Sequence, residues 1–185
     1  MNEKEQIEKL IAGDEKAFRD LIDENKQRIF KVCIGFLHGK EDAEDITQEV
    51  FIEVFRSIKK FGGNSSLSTW VYRIAVNKSL NVLQKRKSNG FLTTIQNALG
   101  LKQAVAVSNP HKELISKERN SFLNKAIDAL PENQRIAFTL AKYDDLSYNE
   151  IAGIMNTSVS SVESLMHRAK TNLQKSLAAY VHDKT

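Results

Sequence analysis

Apolar residues recur at intervals of three and four along nearly the whole of this 185-residue chain. That spacing gathers them on one side of an α-helix, which turns once every ~3.6 residues. Phe18, Leu21, Ile22, Ile29, Cys33 and Phe36 form one such stripe. Ile46, Val50, Val54, Phe55 and Ile58 form another. Only two prolines and eight glycines are available, so sheet-rich turn chemistry is scarce. The expected fold is all-α.

Punctuation divides the chain. Gly13 closes a short first helix and Asp14 caps the next. A third helix follows from about Glu41. "FGGNSSLS", Phe61 to Ser68, reads as a loop, and a helix runs from there to the basic run Lys85, Arg86, Lys87. Beyond it the pattern weakens, with Gly90, Gly100, Pro110 and few charges. The expected layout is two small helical domains, 1–88 and 116–185, joined by a flexible linker over 89–115.

Lys and Arg total 27 against 23 Asp and Glu, a net charge of +4 that suits an anionic partner. The single cysteine, Cys33, excludes an internal disulfide and fits a reducing compartment. No leader or long apolar run appears, so a cytoplasmic protein without membrane insertion is expected. His38, His111, His167 and His182 have no metal-ligand spacing with one another or with Cys33. No phosphate-binding glycine loop is present. The chain is therefore expected to hold no cofactor and not to be an enzyme.

The second domain carries the plan of a helix-turn-helix. In "LSYNEIAGIMNTSVSSVESLMHRAKTNL", Ser147 and Glu150 can form a capping box, Asn156 and Thr157 the turn, and Ser158 the next cap. The outer side of the second helix presents Ser160, Ser164, His167 and Thr171, flanked by Glu163 and Arg168. Short donors and acceptors at the helix start suit base edges, and cations behind them suit phosphate. An ordinary solvated helix face has the same composition.

The first domain poses two questions. Trp70, Arg73, Asn77, Asn81 and Gln84 share one stripe, at spacings of 3, 4, 4 and 3, away from the apolar face of their helix. Amides read base edges and an exposed indole stacks on an unpaired base, so the stripe suits single-stranded DNA. It equally suits solvated amides with Trp70 folded back on the Phe61 loop. The preceding helix is acidic, with Glu41, Asp42, Glu44, Asp45, Gln48, Glu49 and Glu53 outward. That face repels DNA and fits a basic protein surface, although acids in early helical turns also favour the helix dipole.

Three stretches together resemble the bacterial extracytoplasmic-function sigma factors. They are "EDAEDITQEVFIEVF" (41–55), "FGGNSSLSTWVYRIAVNKSLNVLQKRK" (61–87) and residues 130–177 around the helix-turn-helix. The resemblance implies a promoter-specificity subunit of RNA polymerase. On this pattern Asp42, Asp45, Gln48, Glu49 and Phe51 contact core RNA polymerase. Ser65, Ser66 and Leu67 form a base pocket at the minus-ten element. Asn77 and Asn81 read the non-template strand, with Trp70 and Arg73 supporting strand separation or packing beneath it, and Lys85, Arg86 and Lys87 behind them. Ser160, Ser161, Glu163, Ser164, His167 and Arg168 face the minus-thirty-five element of promoter DNA. The resemblance also implies an anti-sigma factor as partner. Many members carry a basic residue where Glu163 stands and another at Leu165, so this recognition helix is less cationic than usual. The rival within DNA binding is a two-domain helix-turn-helix regulator that does not join core polymerase.

Overall fold

The computed structural model describes residues 2–98 and 113–182, with side chains described for 2–88 and 120–180. Eight α-helices are described. The first domain holds α1 (Glu3–Ala12), α2 (Glu15–Leu37), α3 (Lys40–Ser57) and α4 (Leu67–Ala98), with a 3-10 turn at Ile58–Lys60 after α3. The second holds α5 (Glu113–Asp128), α6 (Glu132–Tyr143), α7 (Tyr148–Met155) and α8 (Val159–His182).

Local chemistry sets most boundaries. Gly13 adopts φ +82°, a left-handed conformation that ends α1 without a Cβ penalty. The Ala17 N–H donates to Asp14 Oδ1 at 2.8 Å, which satisfies one orphan donor at the start of α2. Glu41 and Asp42 occupy the first turn of α3, where the helix dipole favours acids. The capping box at α7 is complete. The Ser147 side chain accepts from the Glu150 N–H, and the Ser147 N–H donates to Glu150 Oε2 at 2.8 Å. The Ser147 hydrogen bonds hold the Glu150 carboxyl below its usual range. Replacing Ser147 by alanine should cost about 1 kcal/mol, lowering Tm by roughly 2–4 °C for a chain of this size. Thermal unfolding followed by circular dichroism measures it; an unchanged Tm would show that the cap contributes nothing.

One boundary differs from the sequence expectation. α4 begins at Leu67 and continues to Ala98, and α5 begins at Glu113. Both ends of the expected 89–115 linker are thus helical, and its middle, 99–112, lies outside the described residues. A single glycine costs a helix about 1 kcal/mol relative to alanine, too little for Gly90 to stop a helix that is already propagating.

The two domains also meet. Phe36, Val71 and Tyr72 of the first domain and Ile136, Leu140, Leu146 and Ile151 of the second belong to one buried apolar cluster. α2 crosses α6 at Gly35, where a Cβ would lie 2.6 Å from the Tyr143 ring and 2.8 Å from Thr139 Cγ2. The glycine therefore allows the close approach. α4 meets α7 alongside.

Candidate nucleic-acid interface and docking groove

The stripe on α4 splits into two parts. Asn77, Asn81 and Gln84 are exposed, as are Lys85, Arg86 and Lys87. Trp70 and Arg73 are half-buried. The Trp70 ring packs on Phe61 with centroids 5.1 Å apart and touches the core. The loop aromatic thus lies against the indole, as in the second of the two sequence readings, with Trp70 folded back on the Phe61 loop. Arg73 reaches into the second domain: its Nη2 donates to the Gly153 carbonyl at 2.7 Å and its Nε to the Ile154 carbonyl at 3.1 Å. A guanidinium is well placed there, because the carbonyls at a helix C-terminus carry partial negative charge.

The loop before α4 borders a cleft of about 480 Å³, lined by Asn64, Ser65, Ser66, Thr69 and Arg73 on one side and by Ala152, Gly153, Asn156 and Thr157 on the other. Ser66 caps α4, accepting from the Thr69 N–H at 3.1 Å. Leu67 does not join the cleft. Its side chain is 3% exposed within the core, and its N–H donates to Glu3 Oε1 at 2.6 Å. Leu67 as a pocket wall is corrected accordingly: an apolar residue opening a helix over a core turns inward.

On α3, Asp42, Asp45, Gln48 and Glu49 are exposed. α4 neutralises part of this acidic face. Arg86 Nη2 lies 2.6 Å from Asp42 Oδ2, and Lys78 Nζ lies 3.4 Å from Glu49 Oε2. One pair therefore joins a residue expected on polymerase to one expected on DNA. Phe51 is 9% exposed and forms the floor of a groove. Above it, α2 and α3 enclose an apolar groove of about 1060 Å³, lined by Ile22, Phe30, Gln48, Phe51, Ile52 and Phe55 among others, with Lys26, Lys31 and Lys40 at its edges. Ile52 and Phe55 are 48% and 62% exposed. Large apolar side chains left in water over such a groove mark a docking surface. The apolar spacing of α3 counts Phe55 as core; only the crossing of α2 and α3 reveals the groove.

In the second domain Asn156 takes φ +51° and turns the chain between α7 and α8. Ser158 caps α8, accepting from the Ser161 N–H at 3.1 Å, and its hydroxyl pairs with that of Ser161 at 2.9 Å. Val162, Met166 and Ala169 anchor the inner side of α8. Ser160, Ser161, Glu163, Ser164, His167 and Arg168 are all exposed along the outer side.

Residues 21–89 match the Sigma-70 region 2 family and residues 123–173 the Sigma-70 region 4 family. The chain is 34% identical to the ECF RNA polymerase sigma factor SigW of Bacillus subtilis, over 94% of this chain and 96% of that one. The chain belongs to the extracytoplasmic-function sigma factors. It is also 34% identical to the sigma-E factor of Escherichia coli K12, over 89% of this chain and 88% of the relative. Its fold matches CnrH, solved in complex with the cytosolic domain of CnrY, at TM-score 0.68 and 17% identity, covering 96% and 97% of the two chains. It also matches Bartonella quintana RpoE, solved with the anti-sigma factor NepR, at TM-score 0.59 and 22% identity, covering 88% and 98%. Family membership makes the function promoter-specific transcription initiation with core RNA polymerase, rather than that of a stand-alone regulator.

This sigma factor contains a polar cluster that the sequence reading missed. Asp144, between α6 and α7, is 8% exposed. It accepts from the Tyr72 hydroxyl of α4 and, at 3.1 Å, from Arg28 Nε of α2. The Arg28 guanidinium also lies 5.6 Å from the centre of the Tyr72 ring. Burial, with the Asp144 carboxylate next, raises the Tyr72 hydroxyl above the usual phenol range and keeps it a donor. A signal was available: Tyr72 is flanked by the core residues Val71, Ala75 and Val76, and a buried tyrosine hydroxyl requires a partner. Among the described residues of the sigma factor, no helix is long and apolar enough to cross a membrane.

Proposed function

We propose that this sigma factor divides its work among three surfaces. The α2–α3 groove, with Asp45 and Gln48 beside it, docks on core RNA polymerase. The exposed amides of α4, with the Ser65–Ser66 loop, capture the non-template strand at the minus-ten element. The outer side of α8 reads the minus-thirty-five element. One observation carries this reading: Asn77, Asn81 and Gln84 stand exposed in line on α4 and continue into Lys85, Arg86 and Lys87. Amides meet base edges while cations hold phosphate.

On this reading residues 1–88 and 116–185 are the working domains. The protein acts in the cytoplasm, without catalytic chemistry of its own. RpoE was solved with an anti-sigma factor, and a protein antagonist is inferred here as well. The test adds purified protein to core polymerase and measures run-off transcripts on genomic promoter libraries. Discrete, protein-dependent start sites support the reading, and their absence overturns it.

The α8 assignment makes a separate prediction. Alanine at both Glu163 and Ser164 should change the preferred upstream hexamer more than it changes total output. Base contacts discriminate by about 1–3 kcal/mol each, whereas phosphate contacts act nearly uniformly across sequences. Selection from a randomised minus-thirty-five region measures it. An unchanged consensus with uniformly weaker output would move both residues to the DNA backbone.

A further inference from the structure

We infer that Arg86 is a positioning residue for strand capture rather than a phosphate ligand. It ties α4 to the corner between α2 and α3 and so fixes the way the amide stripe is turned. The inference rests on the reading of α4 as the minus-ten helix and narrows it, leaving Lys85 and Lys87 to hold phosphate. Three consecutive cations cannot share one helix face. At about 100° per residue, Arg86 stands about 180° around the helix from Asn77, while Lys85 and Lys87 stand about 80° to either side of Asn77. The buried residues Val71, Ala75, Ser79 and Leu83 bracket the direction of Arg86, not that of the amides.

The contacts of Arg86 follow that direction. Its Nη2 lies 2.6 Å from Asp42 Oδ2 in the first turn of α3, and its Nη1 donates at 3.3 Å to the Leu37 carbonyl at the end of α2. That carbonyl belongs to the last turn of a helix, where acceptors lack a partner within the helix. A Cβ on Gly39 would lie 2.8 Å from Asp42 Oδ2, so the glycine at the corner leaves the carboxylate room to meet Arg86. Lys78 adds a second tie further up α4, with Nζ 3.4 Å from Glu49 Oε2 and 3.9 Å from Glu53 Oε2. Together they limit the roll of α4 against α3, the helix that lines the docking groove. Side-chain ends lie about 5–6 Å from a helix axis, so a roll of ~10° moves them by about 1 Å. A hydrogen bond to a base edge holds only over about 2.7–3.2 Å, and a shift of about 1 Å breaks it.

The test uses the full chain assembled with core polymerase. Its probe is a single-stranded oligonucleotide carrying the non-template minus-ten sequence of a promoter mapped by run-off transcription, titrated across a range of salt. Each phosphate contact contributes about 0.7 to the slope of log affinity against log salt for a single strand. Lys85→Ala and Lys87→Ala should each lower the slope by about that amount. Arg86→Ala should keep the wild-type slope and weaken binding about fivefold at every salt concentration, the loss of one hydrogen bond. Asp42→Ala, at matched occupancy of core, separates the two roles by sign. If Arg86 positions α4, losing its carboxylate partner weakens strand binding, as Arg86→Ala does. If Arg86 holds phosphate, removing Asp42 frees it and tightens strand binding. Circular dichroism on each variant checks that the helices are retained, so that a loss of strand binding is not a loss of fold. A reduced slope for Arg86→Ala, or equal or tighter binding by Asp42→Ala, would overturn the positioning role alone. Unchanged slopes for both Lys85→Ala and Lys87→Ala would instead overturn the minus-ten reading of α4, and the inference with it.

Discussion

Alanine at both Asn77 and Asn81 should nearly abolish open-complex formation on a linear promoter. Both side chains are exposed on α4, so their removal leaves the core untouched. Opening a duplex costs about 1.4 kcal/mol per stacked step on average, and capture of the freed strand must offset several steps. Two amide contacts at about 1–3 kcal/mol each correspond to a loss of roughly 30-fold or more. On a template with a pre-melted minus-ten bubble, much of that loss should disappear, and the remainder reports the base contacts themselves. Permanganate reactivity and run-off yield on both templates measure the difference, with mutant and wild type bound equally to core. Normal opening of the linear promoter would show that the stripe is a solvated face.

Glutamate at both Ile52 and Phe55 should detach the protein from core polymerase. These side chains stand 48% and 62% exposed over the α2–α3 groove. Burying a large apolar side chain in a partner contributes about 1.5–3 kcal/mol, and two carboxylates placed there would also have to be desolvated. Losing both contacts should weaken binding by about a hundredfold or more. The fold should survive, because both positions face water. Phe55 does pack on Phe18, with ring centroids 4.9 Å apart, so a modest fall in Tm is expected. Pull-down on core enzyme with circular dichroism as control tests it. Retained binding with retained helicity would place the polymerase contact elsewhere, first on the exposed acids Asp42 and Asp45.

Much of the local architecture was legible because its causes are local. Gly13, Asp14, Ser147 with Glu150, and Ser158 act on backbone groups within a few residues, and each does in the structure what its spacing implies. The exposed face of α8 was equally legible, since Val162, Met166 and Ala169 fix which side turns inward. What escaped depends on neighbours distant in sequence. A helical wheel places Trp70 and Arg73 off the main apolar face; it leaves Trp70 between an open platform and a fold back onto the Phe61 loop, and it cannot say that α7 accepts hydrogen bonds from Arg73. Leu67 lies at a position where the family pattern suggests contact with a partner, yet burial claims it. Tyr72 and Asp144 are 72 residues apart, and no periodic signal joins them.

Gly35 has a consequence for how this sequence can change. A methyl group at position 35 would meet the Tyr143 ring at 2.6 Å and Thr139 Cγ2 at 2.8 Å. Separations that short are repulsive, so a larger residue there is tolerated only if its neighbours on α6 shrink or turn aside. Positions 35, 139 and 143 are therefore expected to vary together: a side chain gained on α2 calls for one lost on α6.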